Sequence, residues 1–383
     1  MKLLLLPLLL LSLLPKLAFA EVSPSILLFN IWDFNSCEIQ MQKAIDLGAK
    51  TINIVPTIKF IAHDATKLEY FCYQKNFCDK FDREVIAEVE NDLKKCATIA
   101  ARAGVNLSFT PHIDDGGGRG IWRNNLVFDP RASYQETTYK ESILDPIYRI
   151  IKSLTPVDIE IDFSFQGEMG ATVFNYPNSY RQILKEYRKG LGKKVKLGIS
   201  INYNALGGWG HRYRGVERRT LQKLINEVDF LGFSFYHPVE KKIEDHFSFG
   251  TKKFLWELKN KSLKLPENLP LHFTEIGLGG GNLSNDGRSR GNNAFEIGKA
   301  PYAGLYSSFN AQTSPWEISQ NAIFRREFYN SLNNYLNSEF ISNPVTRAFV
   351  WNADSWDVFG LYSGTEGYSD QSIIDLLFSN RSL

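Results

Sequence analysis

The chain has 383 residues, of which 43% are hydrophobic and 22% charged, the make-up of a globular protein rather than a disordered one. That length suits one large α/β barrel or two ordinary domains. The formal charge is +2, and Lys2 and Lys16 lie in the first twenty residues, so the rest is balanced and lacks the basic excess of a nucleic-acid binder.

Residues 1–20 read as a secretory signal, with Lys2 as the charged start, an apolar stretch from Leu3 to Leu14, and a small-x-small cleavage site at Ala18-Phe19-Ala20. The apolar stretch falls short of the roughly 20 residues of a membrane span, and nothing downstream is apolar enough, so no stable membrane insertion is expected. The expected product is a secreted or periplasmic domain over residues 21–383. Export permits disulfides, and Cys37, Cys72, Cys78 and Cys96 allow three pairings that the sequence leaves open. One or two structural bridges are expected.

After the leader, strand-like and helical runs alternate. Strands are predicted at 25–32, 51–56, 105–112, 157–165, 195–202, 228–236, 271–277 and 345–351. Helices are predicted at 38–48, 82–103, 138–154, 178–191, 218–227, 251–261, 319–338 and 371–378. Eight nearly continuous apolar strands, each followed by a helix, match an α/β protein with a single (β/α)8 TIM barrel. An open doubly wound sheet fits less well, because Asn30-Ile-Trp-Asp33 stands where a glycine-rich phosphate loop would follow the first strand.

In such a barrel, chemistry belongs at the C-terminal strand ends. Those ends carry Trp32 and Asp33, Pro56, His112 and Asp114, Glu168, Asn202, Tyr236 and His237, Glu275, Trp351, Asn352 and Asp354. Glu168 after the fourth strand and Glu275 on the seventh converge from opposite walls. Two facing carboxyl groups about 5–5.5 Å apart are what retaining glycoside hydrolysis requires. Glu160 and Asp162, alternating along the fourth strand, read as buried polar groups of the lumen instead. His112 and Asp114 lack a third metal ligand at matching spacing, so no metal and no cofactor are expected. Aromatic residues make up 13% of the chain, and Trp32, Trp122, Trp209 and Trp351 near strand ends suit a sugar cleft, whose rings stack on aromatic faces.

These stretches are familiar: Phe109-Thr-Pro-His-Ile-Asp114, Phe165-Gln-Gly-Glu168-Met, Ile199-Ser-Ile-Asn-Tyr-Asn204, Val228-Asp-Phe-Leu-Gly-Phe-Ser-Phe-Tyr236-His-Pro238 and Phe273-Thr-Glu275-Ile-Gly277. In order along the chain they resemble the retaining β-glycosidases of glycoside hydrolase clan A, and within it family 113, whose characterised members are β-1,4-mannanases. The resemblance implies Glu168 as acid/base, Glu275 as nucleophile, Tyr236 as the nucleophile's hydrogen-bond partner and Trp351 as the floor under the sugar. It further implies His112, Asn202 and Trp122 as substrate contacts. One departure is Gly167, where many clan members carry Asn directly before the acid/base. Held by Tyr236, Glu275 is expected to keep a low pKa, and Glu168 a raised one. The expected partner is an oligo- or polysaccharide, with a β-1,4-mannan-like polymer first. A bacterial wall or amino-sugar glycan, or a non-catalytic glycan-binding barrel, are the alternatives.

Overall fold

The computed structural model describes residues 20–30, 36–73, 82–206, 218–240, 242–282, 289–304, 311–338 and 343–378. Residues 1–19 of the leader, Trp32, Asp33, Cys78 and Trp209 lie outside the described residues. Eight strands form the central sheet: β1 (Glu21–Leu28), β2 (Thr51–Ala62), β3 (Asn106–Phe109), β4 (Ile161–Ser164), β5 (Val195–Asn202), β6 (Phe230–Phe235), β7 (Leu271–Ile276) and β8 (Val345–Val350). Each pairs in parallel with the next, and β1 pairs with both β2 and β8, so the sheet closes into a barrel. Around it run α1 (Cys37–Asp46), α2 (Arg83–Arg102), α3 (Asp145–Leu154), α4 (Pro177–Leu191), α5 (Arg218–Glu227), α6 (His246–Asn260), α7 (Ser319–Leu336) and α8 (Gln371–Phe378). This is the (β/α)8 fold the sequence predicts.

Local chemistry sets the helix limits. The Asp82 carboxylate accepts from the Val85 backbone N–H at 2.8 Å and caps α2, whose buried stripe runs through Val89, Leu93, Cys96, Ala97 and Ala100. Pro177 opens α4 with the φ a first turn needs. Bridge Cys37–Cys96 joins α1 to α2, with Cα atoms 5.7 Å apart. Cys72 is disulfide-bonded as well.

Several elements differ from the sequence reading: β1 spans Glu21–Leu28 rather than 25–32, and β4 spans Ile161–Ser164 rather than 157–165. β2 continues to Ala62 and pairs beyond the barrel with strand Leu68–Cys72 on one side and strand His112–Asp115 on the other. The third strand is split, with Thr110 and Pro111 between β3 and His112–Asp115. Proline has no N–H to give the ladder, so pairing stops there and restarts at His112. Helix α6 starts at His246 rather than at 251, because His246 and Phe247 are buried against Phe235 and Phe328.

Small polar side chains fill much of the barrel interior and bond to one another. Asn53 Nδ2 donates to Ser25 Oγ at 3.3 Å, Thr110 Oγ1 donates to Asn53 Oδ1 at 3.2 Å, and Ser200 pairs with Thr274. At the N-terminal end Arg347 pairs with Glu21, Glu160 and Asp162. Asp162 is buried there, as expected of lumen ballast, whereas the Glu160 side chain is largely exposed.

Candidate active site

The site is a row of side chains across the C-terminal rims of neighbouring strands. Asn202 at the end of β5 lies opposite Ser234 of β6, which lies opposite Glu275 of β7. The last pairing depends on a bulge. Phe233 opposes Phe273, and the register then skips Thr274. Regular strand alternation would send Thr274 and Glu275 to opposite faces. The bulge lets Thr274 reach Ser200 inside the barrel while Glu275 also turns to the mouth, where Tyr236 Oη donates to its Oε2 at 3.3 Å.

Glu168 arrives from the loop after β4 with φ +57°, in the left-handed region that costs a non-glycine residue of order 1 kcal/mol or more. Its surroundings hold that turn in place. Gln166 Oε1 accepts from the Met169 N–H at 2.9 Å, and Gly167 N–H donates to the Pro111 carbonyl at 2.9 Å. Asn124 Oδ1 accepts from the Gly170 N–H at 3.0 Å, and Thr172 Oγ1 donates to the Leu126 carbonyl at 2.7 Å. The segment after β3 is thereby bolted to the segment carrying Glu168.

That bolting delivers Arg123. Its Nη2 donates to Glu168 Oε2 at 3.0 Å and stands 3.9 Å from Glu275 Oε1, while Nη1 donates to Asp114 Oδ1 at 2.8 Å. Lys59 contacts the other Asp114 oxygen at 3.4 Å. Because one nitrogen reaches both glutamates, those two oxygens are no further apart than its two distances laid end to end. That limit is compatible with the ~5–5.5 Å carboxyl spacing of a retaining pair. Glu168 Oε1 also accepts from Asn202 Nδ2 and Ser234 Oγ, both at 2.5 Å.

Both glutamates are buried, at 4% and 2% exposure. Burial raises the Glu168 carboxyl, the charge of Glu275 raises it further, and Arg123, Ser234 and Asn202 pull the other way. Glu275 is pushed up to about 7, because burial outweighs Arg123 and the single Tyr236 hydrogen bond. The low value expected of Glu275 is thus not found: one 3.3 Å bond is too little to offset complete desolvation. For Asp114 burial acts upward, but Arg123 and Lys59 outweigh it and hold the carboxyl below its ordinary value.

Around this pair the structure gathers most of the residues the sequence singled out. Trp351, at the end of β8, is buried among Leu27, Val55, Tyr236 and Trp356, with its ring stacked on His112 at 5.5 Å. His112 is itself buried, and that burial takes its imidazole down to about 3, so it is neutral. Asn202 serves Glu168 directly. Trp122 is half-buried on the same loop as Arg123. His237 is buried one residue beyond Tyr236, its Nδ1 2.7 Å from the Pro238 carbonyl.

Arg123, Ser234 and Lys59 were not singled out from the sequence. Ser234 carries a readable signal, standing two residues before Tyr236 on an alternating strand. Arg123 carries none beyond its place next to Trp122, since its approach depends on how two loops lock together.

Fold and site define the class: a (β/α)8 barrel with a buried pair of carboxyl groups at its C-terminal mouth. No family model matches the sequence, and no curated protein matches it. Among solved structures, a glycoside hydrolase family 113 β-1,4-mannanase complex aligns over 95% of this chain and 99% of its own, at 12% identity and TM-score 0.55. A second family 113 β-1,4-mannanase aligns over 94% and 98%, at 12% identity and TM-score 0.54. The family 113 β-mannanase of Alicyclobacillus acidocaldarius, in complex with ManMIm, aligns over 95% and 97%, at 11% identity and TM-score 0.52. At such identity the likeness shows a shared fold.

Proposed function

We propose that this protein is a retaining endo-β-glycosidase, with a β-1,4-mannan-like polysaccharide as its first-choice substrate. The observation that carries the reading is the buried Glu168–Glu275 pair spanned by Arg123 at the barrel mouth. Glu275 attacks the anomeric carbon while Glu168 protonates the leaving oxygen. Glu168 then takes the proton of the water that releases the sugar from the covalent intermediate. Once Glu275 is esterified its charge is gone, so one of the two causes that raise Glu168 is removed while Arg123 remains, and Glu168 is better able to act as a base. The resemblance assigns Trp351 to the floor under the sugar, and its ring, 2% exposed and stacked on His112, stands beside the carboxyl pair.

Support for mannan comes from the mannanase fold neighbours and the sequence resemblance. Reducing-sugar release from a panel of β-mannan, β-xylan, β-galactan, cellulose and amino-sugar polymers tests it. Release from mannan alone supports the full reading, release from another polymer moves the substrate, and binding without release identifies a glycan-binding barrel.

The N-terminal pattern supports an exported protein whose mature chain opens on β1. N-terminal sequencing of the protein recovered from the medium or periplasm should read Glu21-Val22-Ser23.

A pH prediction follows from Arg123, which lowers both glutamates. In Arg123→Met both carboxyl groups titrate higher, so the acidic and alkaline limbs of kcat/KM both move up, by roughly one pH unit. Activity at pH 5 falls by more than activity at pH 8. Limbs that stay in place while kcat drops would show that Arg123 acts only in packing.

A further inference from the structure

A buried lysine stands behind the arginine that spans the two glutamates. Lys59 lies on the part of β2 that runs past the barrel, and the register there sets it directly opposite Asp114 of the strand His112–Asp115. Its neighbours Ile58 and Phe60 alternate to the other face and pack into the core, as does Ile113. Lys59 is itself only 5% exposed, with its ammonium 3.4 Å from Asp114 Oδ2. Stripping an ammonium of water is costly, and an apolar side chain of similar length would cover the same sheet without that penalty. Stability alone therefore does not account for a charge here.

The two oxygens of Asp114 are divided between two cations: Oδ2 faces Lys59, and Oδ1 accepts from Arg123 Nη1 at 2.8 Å. The other guanidinium nitrogen, Nη2, donates to Glu168 Oε2 at 3.0 Å and lies 3.9 Å from Glu275 Oε1. Left alone with Arg123, the Asp114 carboxylate would cancel the charge that the arginine brings to the glutamates. With Lys59 in place the three groups together carry one net positive charge. A retaining pair works with one carboxyl ionised and the other protonated, so that single charge matches it. The remaining titratable groups beside the pair, His112 and Tyr236, are neutral: burial takes the imidazole down to about 3 and the phenol well above its ordinary value. We propose that Lys59 is a positioning residue, which holds Asp114 in place and takes up its charge so that Arg123 stays anchored at Nη1 while keeping its own charge for Glu168 and Glu275. The proposal rests on the glycosidase reading and extends its machinery to a residue that forms no ion pair with either glutamate among the described residues.

The test is a cycle of two charge-removing variants and their combination, read as the pH profile of kcat/KM on 2,4-dinitrophenyl β-mannobioside. Lys59→Met removes a positive charge, so both glutamates titrate higher and both limbs move up by ~0.5 pH unit. Asp114→Asn removes the negative charge but keeps an oxygen for Arg123 Nη1, so both limbs move down by a similar amount. In the double variant that amide anchors Arg123 and no carboxylate competes for its charge, so the limbs return to within ~0.2 unit of wild type. If Lys59→Met does not fold, the same upward step is read between Asp114→Asn and the double variant. Limbs that Lys59→Met leaves in place, or a double variant no nearer wild type than that single one, would overturn the proposal. Wild-type protein that turns over no aryl β-glycoside would overturn the glycosidase reading instead, and the charge claim is then read without turnover. Carbon-13 NMR of glutamate-labelled protein follows the Glu275 carboxyl, assigned by its absence in Glu275→Gln. Its midpoint should rise in Lys59→Met and return in the double variant, and a midpoint that does not rise would overturn the proposal whatever the activity.

Discussion

Glu275→Gln removes the nucleophile, and turnover of every β-glycoside falls by several orders of magnitude, whatever the leaving group. The same substitution should raise thermal stability at alkaline pH. The folded-state pKa of Glu275 is raised to about 7, above its value in an unfolded chain. Its contribution to stability is therefore fully present below the unfolded pKa of ~4.3 and is lost as pH rises through 7. Gln carries no charge to bury, so the variant escapes that loss. Melting curves at pH 5 and pH 8 should show the variant gaining on the parent by several degrees at the higher pH. A variant that loses activity and stability together at both pH values has been damaged in its fold, and its inactivity would then say nothing of a nucleophile.

Glu168→Ala should behave differently, and the difference assigns the roles. With an activated aryl leaving group the first step needs little protonation, so glycosylation is largely spared. Deglycosylation lacks its base, and the glycosyl-enzyme accumulates as a burst followed by slow turnover. Azide needs no deprotonation, so added azide should restore turnover by at least roughly tenfold and yield a β-glycosyl azide. Azide rescue of Glu275→Gln instead would exchange the two roles, and equal losses in both variants without rescue would mean that they are not a catalytic pair. The hydrogen bonds favour the assignment in one respect. Glu168 accepts from Asn202, Ser234 and Arg123, donors that hold the carboxylate it must become in the second step. Glu275 keeps one oxygen free of such bonds.

Much of the scaffold was legible because it follows from periodicity. Helix 371–378, helix 218–227 and strand 195–202 have the predicted limits, since Gln371–Phe378, Arg218–Glu227 and Val195–Asn202 are local patterns with clear ends. The placement of Glu168 and Glu275 followed from barrel geometry once eight units were counted. What stayed hidden depends on contacts between distant segments. The split at Pro111 was visible in principle, but not the new pairing of His112–Asp115 with the end of β2. The bulge at Thr274 has no sequence mark, although it decides where Glu275 points. Arg123 reaches the glutamates because Asn124 and Leu126 are tied to Gly170 and Thr172, which no local pattern reports. The raised pKa of Glu275 departs from the sequence expectation for a related reason: a motif implies hydrogen-bond partners, but complete burial is a property of the folded site. The pairing of Cys37 with Cys96 likewise depended on α1 packing against α2.

The central claim is that Glu275 forms a covalent bond to the sugar. Incubation with a 2,4-dinitrophenyl 2-deoxy-2-fluoro-β-mannoside slows both steps, but the leaving group speeds the first, so the ester persists long enough to map. Peptide mass spectrometry of the digested protein should find one fluorosugar per chain, on the peptide containing Phe273-Thr-Glu275-Ile-Gly277 and specifically on Glu275. A label on Glu168, or a protein that turns over the parent glycoside yet never carries a label, would contradict the account.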